Sequence, residues 1–190
     1  MDMLCSNDHC RRRMTLRRIV SGGQTGVDRG ALDAALAAGL ESGGWAPGDR
    51  SAEDGIIPDR YPLMLLPEGG YRQRTRLNVV DSDGTAILYD ESLTEGSRLT
   101  RNLCALLNRP YILINARKMP DASEAAAEVL KFIERSEIHV LNVAGPRASG
   151  WPGGYHFAVD VIGGVISGLA SGLRQDIETD VSPGGRSKSL

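Results

Sequence analysis

Short apolar runs alternate with helix-like patterns along most of the chain. β-Prone apolar residues cluster at 16–20, 85–89, 111–115 and 138–144. Apolar residues three or four positions apart, as on one face of a helix, recur over 28–38, 95–108, 122–135 and 155–172. Strands that alternate with helices in this way are typical of a parallel sheet. The pattern therefore predicts an α/β fold in a single domain over residues 16–173.

Three segments depart from this alternation. Residues 1–15 are polar and end in a run of arginines, and residues 174–190 finish in a stretch rich in Gly and Ser, so both are predicted to be flexible tails. Residues 45–80 contain four prolines and are predicted to be largely irregular. A long irregular segment inside a compact domain usually serves the function of the protein.

Glycine is the residue whose abundance changes this picture. The chain has 23 glycines in 190 residues, about 12% where about 7% is usual. Many of them cluster in the predicted loops, which indicates that the main chain comes close to another group there. The formal net charge of −2 argues against a dedicated nucleic-acid-binding protein, which normally carries a strongly basic face. A small anionic ligand or a protein partner is the better expectation.

Cysteine usage and apolar run lengths bear on localisation. The three cysteines cannot all pair with one another, and Cys104 falls in an apolar helical pattern, so free thiols in the cytoplasm are predicted. No apolar run is long enough for a membrane span, and no signal-peptide core is present near the N-terminus. Cys5, His9 and Cys10 lack a fourth ligand, so no metal site is predicted.

The first glycine-rich loop carries the strongest local signal. Residues 21–30 read SGGQTGVDRG and lie between the first strand and a helix for which Asp28 is the predicted N-cap. Glycines there let main-chain N–H groups turn inward, and the helix dipole adds positive potential, so an anion is favoured. Thr25 and Arg29 would add a hydroxyl and a guanidinium. The alternative is that the glycines only permit a tight turn. Neither GxGxxG nor a Walker A sequence is present, which disfavours nucleoside triphosphate hydrolysis.

Two further loops follow predicted strands in the same way. The segment 93–100 opens a helix and offers Gly96, Ser97 and Thr100 to a ligand, although Ser97 or Thr94 could serve only as a helix cap. The segment 142–147 ends the last strand. In a parallel sheet the loops after the strands leave from the same carboxyl edge, so we expect these three loops to converge on one cleft.

Other residues able to carry chemistry are predicted to be structural. Asp81 belongs to a turn sequence, which is favoured over a magnesium site. His139 and His156 have no carboxylate partner at ligand spacing, and Cys104 is surrounded by leucines in sequence. The sequence therefore predicts no catalytic residue.

Taken together, these motifs resemble the molybdenum carrier proteins, a family that includes molybdenum cofactor carriers and belongs to a Rossmann-like nucleotide-binding superfamily. The resemblance rests on five segments spread in order from about residue 20 to 155: GGQTGVDRGALDAA, GGWAPGDRSAEDGIIPDRYPL, TRLNVVDSDGTAILY, EGSRLT and LNVAGPRASGWPGGY. Five ordered segments are far more specific than any single glycine loop.

The resemblance implies a Rossmann-like parallel sheet with helices on both faces, assembled into a homodimer or homotetramer. It also implies a binding protein, rather than an enzyme, that holds and protects the phosphate-bearing molybdenum cofactor (molybdopterin) or a molybdate-like oxyanion. Molybdoenzymes or cofactor-synthesis proteins would be its partners. The ligand-facing positions it implies are Gly22, Gly23, Gln24, Thr25, Gly26, Arg29, Asn78, Gly96, Ser97, Thr100 and Arg147.

Two alternative functions use the same predicted cleft. Related families release the base from nucleoside 5′-monophosphates and carry a PGGxGTxxE motif, which Pro152-Gly153-Gly154 resembles in part. His156 and Phe157 replace the Gly and Thr of that motif, so the resemblance implies the carrier ahead of this enzyme. The second alternative is a nucleotide-sensing module.

Overall fold

The computed structural model describes residues 16–68 and 70–180, and for 172–180 the main chain alone. The predicted tail at 1–15 and residues 181–190 lie outside the described residues. Within the described part no helix is both long and apolar enough to cross a bilayer.

Nine strands and five helices make up this part of the chain. In order they are β1 (Arg18–Val20), α1 (Val27–Ala37), β2 (Glu41–Gly43), β3 (Trp45–Pro47), β4 (Ser51–Ala52), β5 (Gly55–Ile56), β6 (Met64–Leu66), α2 (Tyr71–Val80), β7 (Gly84–Tyr89), α3 (Glu95–Leu106), β8 (Tyr111–Asn115), α4 (Ala122–Arg135), β9 (Val140–Ala144) and α5 (Gly154–Asp180).

Five of the strands form one parallel sheet in the order β2-β1-β9-β7-β8. The last strand in sequence, β9, therefore lies at the centre, with Asn142 opposite Val20 of β1 on one side and Thr85 of β7 on the other. The loops that follow β1, β7 and β9 leave side by side from the carboxyl edge. Their predicted convergence is confirmed.

Helices cover both faces of the sheet, as the Rossmann-like prediction requires. Buried residues of α1, α4 and α5 form the main core with one face, to which Ile19, Leu88 and Ile114 belong. Val79 of α2 packs with Leu103 and Cys104 of α3 in a separate cluster. Apolar side chains on both faces explain why the central strands read as nearly continuous hydrophobic runs.

Most of the predicted elements are confirmed, with shifts of one or two residues at some ends. The predicted strand 111–115 and helix 122–135 match β8 and α4 at both ends. The last helix continues to Asp180, so residues 174–180, predicted within the C-terminal tail, are helical. Residues 45–80, predicted as largely irregular, contain four short strands and the helix α2. Strand β3 ends at Pro47, and α2 begins after the last of the four prolines, Pro67.

Candidate functional site

A cleft of about 810 Å³ opens at the carboxyl edge of the sheet. Its walls are the first glycine-rich loop, helix α2, the start of α3 and the loop 145–150. A second cavity of about 660 Å³ lies beside it against the β4–β5 hairpin (residues 51–56). Four residues line both cavities: Gln24, Tyr71, Arg74 and Arg147. The two cavities therefore form one extended site.

The first glycine-rich loop uses several of its amides within the chain. Gln24 N–H donates to the Asp28 carboxylate (3.3 Å), and Thr25 N–H donates to the Gln24 side-chain oxygen (3.0 Å). Val27 N–H donates to the Pro146 carbonyl (3.3 Å). The expectation that the amides of this loop await an incoming anion is thus wrong for these three. The anion at the centre of the loop is the chain's own Asp28.

Asp28 is also not the N-cap of α1. That position belongs to Gly26, and Asp28 lies in the first turn with its side chain 6% exposed. Its carboxylate turns back under the loop, where a Cβ on Gly22 would come within 2.8 Å of Oδ2. Only glycine permits this approach. Burial raises the pKa of Asp28 to about 6, against the opposing effects of the Arg74 charge and the Gln24 amide.

The other loop residues predicted to face a ligand divide between the cleft and the protein interior. Gly22 and Gln24 line the cleft. Gly23 instead packs towards Leu63, and Gly26 packs against the main chain of 146–148. Glycine at these two positions serves contacts inside the protein.

Thr25 and Arg29 bind carboxylates of the β4–β5 hairpin. The Thr25 hydroxyl donates to Glu53 through a short hydrogen bond. Arg29 makes two hydrogen bonds to Asp54, of 2.6 and 2.8 Å, and a third to the Gly23 carbonyl. The groups predicted to recognise an anion do so, but the anions are Glu53 and Asp54 of the same chain.

At the start of α3, two of the three predicted residues line the cleft. Gly96 and Thr100 do so, and the Thr100 hydroxyl donates to the Gly96 carbonyl (3.0 Å). Ser97 is 2% exposed, and its amide donates to Thr94, the N-cap (3.3 Å). The capping alternative therefore holds for this turn.

Asn78 and Arg147, the remaining predicted residues, both line the cleft. The Asn78 amide group is paired with the main chain of Trp45, which it contacts at 2.8 and 3.2 Å. This contact fixes α2 against β3. The Arg147 side chain is 62% exposed, and its Nε lies 3.6 Å from Glu53.

Arg74 is the site residue that the sequence did not reveal. It is 6% exposed and lines both cavities, with Nη1 donating to the Gly22 carbonyl (3.0 Å) and its guanidinium over the Tyr71 ring (4.7 Å). Among the described residues nothing accepts a hydrogen bond from its Nε. A buried guanidinium with an unused donor is expected to attract an anionic group.

A polar repeat in α2 is the signal that could have found it. The buried residues of α2 recur at the spacing of one helix face, and most of them are polar: Arg74, Thr75, Asn78 and Val79. A search for apolar periodicity does not detect such a helix.

Glu53 lies where the hairpin meets the two loops. Its carboxylate receives the Thr25 hydroxyl, the Ser149 amide (3.1 Å) and the Ser149 hydroxyl (2.6 Å). Burial acts to raise its pKa, but these hydrogen bonds and the Arg147 charge outweigh burial and lower the pKa below its usual value. Glu53 is therefore ionised at neutral pH.

The site shows no cluster of metal ligands. Among the side chains of residues 16–68 and 70–171, no three His, Cys, Asp or Glu are grouped to hold a metal ion. Cys104 is fully buried on the inner side of α3, as predicted, and burial raises the pKa of its thiol.

Comparisons with known proteins agree with this architecture. Residues 19–166 match the model of the circularly permutated YpsA SLOG family. A crystal structure of a putative molybdenum carrier protein from Syntrophus aciditrophicus SB is 38% identical, with a TM-score of 0.76, and the match covers 80% of this chain and 95% of the other. No curated protein matches the chain. The family model spans more than half of the residues, and the chain belongs to the circularly permutated YpsA SLOG family.

Proposed function

We propose that this protein is a carrier that binds a phosphate-bearing small molecule in the cleft, with the molybdenum cofactor as its candidate cargo. The observation that carries the proposal is Arg74, a nearly buried guanidinium that lines both cavities and has an unused Nε donor among the described residues. Arg72 and Arg147 also line the cleft. A phosphate in the cleft would form charge-assisted hydrogen bonds with the Arg74 guanidinium.

The size of the site suits such a ligand. Cavities that hold small molecules usually measure about 300–1,000 Å³, and this cleft measures about 810 Å³. Its polar groups lie on several walls, so a phosphate near Arg74 leaves room for a ring system towards α3, where Leu99 and Gly96 form the lining. Binding, orientation and shielding from water are what these residues would provide.

The molybdenum cofactor fits this donor set through its organic part. Its metal is already held by its own dithiolene, and the described residues hold no metal-binding group that would compete for it. The similarity to the molybdenum carrier protein of Syntrophus aciditrophicus SB supports a molybdenum-related cargo. A cytoplasmic homodimer or homotetramer that delivers the cofactor to molybdoenzymes, or receives it from cofactor-synthesis proteins, remains part of the proposal.

The test is the cargo of the protein purified from cells supplied with molybdate. Native mass spectrometry, elemental molybdenum and the fluorescence of the released, oxidised pterin should report the same stoichiometric ligand. Arg74→Gln should lose most of it, whereas Arg76→Gln, an exposed arginine on the same helix, should retain it. A consistently bound nucleotide, or equal pterin content in both variants, would contradict the proposal.

A second candidate is a nucleoside 5′-monophosphate hydrolase. The observation that favours it is the Asp28 carboxyl group, which lines the cleft. Burial raises the pKa of Asp28 to about 6, which lies within the range that suits proton transfer near neutrality. Incubation with the common nucleoside monophosphates should then release free base, and Asp28→Asn should stop the release. No release from any of them would exclude this candidate.

A further inference from the structure

The β4–β5 hairpin brings a carboxylate to a set of groups suited to an oxyanion. Glu53 accepts three hydrogen bonds, from the Thr25 hydroxyl and from the amide and hydroxyl of Ser149. Arg147 lies 3.6 Å from the same carboxylate. Two hydroxyls, a main-chain amide and a guanidinium are donors that recur around bound phosphate.

Two of the three donor residues border the cavities. Ser149 lines the first cavity, Glu53 lines the second, and Arg147 lines both. The Glu53 carboxylate therefore lies at the boundary between the two cavities. Displacement of the Glu53 carboxylate would make Ser149 and Arg147 accessible from the space beside Arg74.

Polar contacts hold the hairpin in place. Besides the Glu53 carboxylate, they are the Glu53 amide on Gln24 (3.0 Å) and the Asp54–Arg29 pair. Ala52 in β4 packs against the buried cluster that contains Ile57, but Ile56 in β5 is 74% exposed, so the apolar anchoring of the hairpin is limited to one strand. Water or an incoming anion can replace contacts of this kind at modest cost, because they are already partly solvated.

We propose that Thr25, Arg147 and Ser149 form an oxyanion subsite that Glu53 occupies as an internal competitor, and that a tetrahedral oxyanion binds by displacing it. The subsite extends the proposed cargo site. It rests on the proposed function only because both use the same cleft. The oxyanion is either the phosphate group of a larger ligand or a free ion such as molybdate or inorganic phosphate.

Removal of the competing charge tests the subsite. Glu53→Gln keeps the length of the side chain and an oxygen for the Ser149 amide, but it loses the attraction to Arg147. In isothermal titration the Glu53→Gln variant should bind molybdate, inorganic phosphate or adenosine 5′-monophosphate about tenfold more tightly than the wild type. A tenfold change in affinity corresponds to about 1.4 kcal/mol of binding free energy. A gain only for the nucleotide assigns the subsite to a ligand phosphate, and a gain for the inorganic ions assigns it to free oxyanion.

Two controls separate the subsite from a general charge effect. Asp49→Asn removes the same charge at the second cavity, where Asp49 accepts a hydrogen bond from the Ser51 amide of its own turn, and should leave affinity unchanged. Glu53→Gln combined with Arg147→Gln should lose the gain. Equal affinities in Glu53→Gln and wild type, or the same gain in Asp49→Asn, would overturn the proposal.

Hydrogen exchange of the wild type gives a readout that does not depend on the variants folding. The amides of residues 51–56 should exchange faster with saturating molybdate or with saturating adenosine 5′-monophosphate, because the bound oxyanion releases the hairpin. Slower or unchanged exchange with both would overturn the proposal. The cargo proposal is judged separately by Arg74→Gln. Loss of pterin in that variant, with no effect of Glu53→Gln on oxyanion binding, would leave the carrier standing and remove the subsite.

Discussion

Arg74 and Gly22 join helix α2 to the first glycine-rich loop. Nη1 of Arg74 donates to the Gly22 carbonyl at 3.0 Å, and a Cβ on Gly22 would come within 2.7 Å of the same nitrogen. The guanidinium and the loop thus fit against each other only because residue 22 is glycine. The Asp28 carboxylate approaches the same glycine, so the loop lies between a buried cation and a buried anion.

Replacing Arg74 should destabilise the folded protein. Arg74→Met leaves the Gly22 carbonyl without this donor and Asp28 without its neighbouring cation, and should lower the free energy of unfolding by about 3 kcal/mol at pH 7. Urea denaturation measures it, with the exposed Arg76→Met expected within about 0.5 kcal/mol of wild type. Adding Asp28→Asn to Arg74→Met should recover part of the loss. Strictly additive effects would contradict coupling between the two charges.

Asp28 should make stability depend on pH in an unusual direction for a carboxyl group. Its native pKa of about 6 lies above the ordinary 3.8, so the native state binds the proton more tightly than the unfolded state. Its contribution to stability is therefore full below about pH 4 and is lost as the pH rises through about 6.

Asp28→Asn removes this titration and provides the comparison. From pH 4 to pH 8 its free energy of unfolding should rise relative to wild type by about 3 kcal/mol, the equivalent of a shift of about two pKa units. Denaturation curves at several pH values measure the difference. A difference that does not change with pH would show that Asp28 titrates at its ordinary pKa.

Gly26 should tolerate alanine less well than Gly39, although both have positive φ, of 76° and 67°. A Cβ on Gly26 would lie 2.7 Å from the Pro146 carbonyl oxygen, whereas nothing lies within 4 Å of one on Gly39. Gly39→Ala should lower the free energy of unfolding by about 1 kcal/mol, because of the backbone conformation alone. Gly26→Ala should lower it by about 3 kcal/mol or more, because the steric clash is added. Thermal unfolding compares them, and equal losses would show that the 146–148 loop yields freely.

Cys104 should be unreactive in the native protein. It is fully buried, and burial raises the pKa of its thiol, so little thiolate is present for alkylation. Iodoacetamide followed by peptide mass spectrometry should find Cys104 unlabelled in buffer and labelled in denaturant. Rapid native labelling of that peptide would mean that α3 opens locally.

The fold class and most of the elements follow from local patterns in the amino-acid sequence. The four predicted strands and four predicted helices are all present. They could be predicted because the apolar periodicity of a segment depends on that segment alone and not on the elements that pack against it. The rule that parallel strands release their loops at one edge was enough to place the three loops around one cleft.

Tertiary structure alone decided which charges meet at the site. Arg74 and Asp28 are 46 positions apart and come together only because α2 packs over the loop after β1. Arg29 and Thr25 have the residue types of anion-binding groups, yet the pairing of Arg29 with Asp54 and of Thr25 with Glu53 depends on where the hairpin lies. Periodicity reports how one segment buries its own apolar face, whereas polar contacts between distant segments depend on geometry that the packed chain creates.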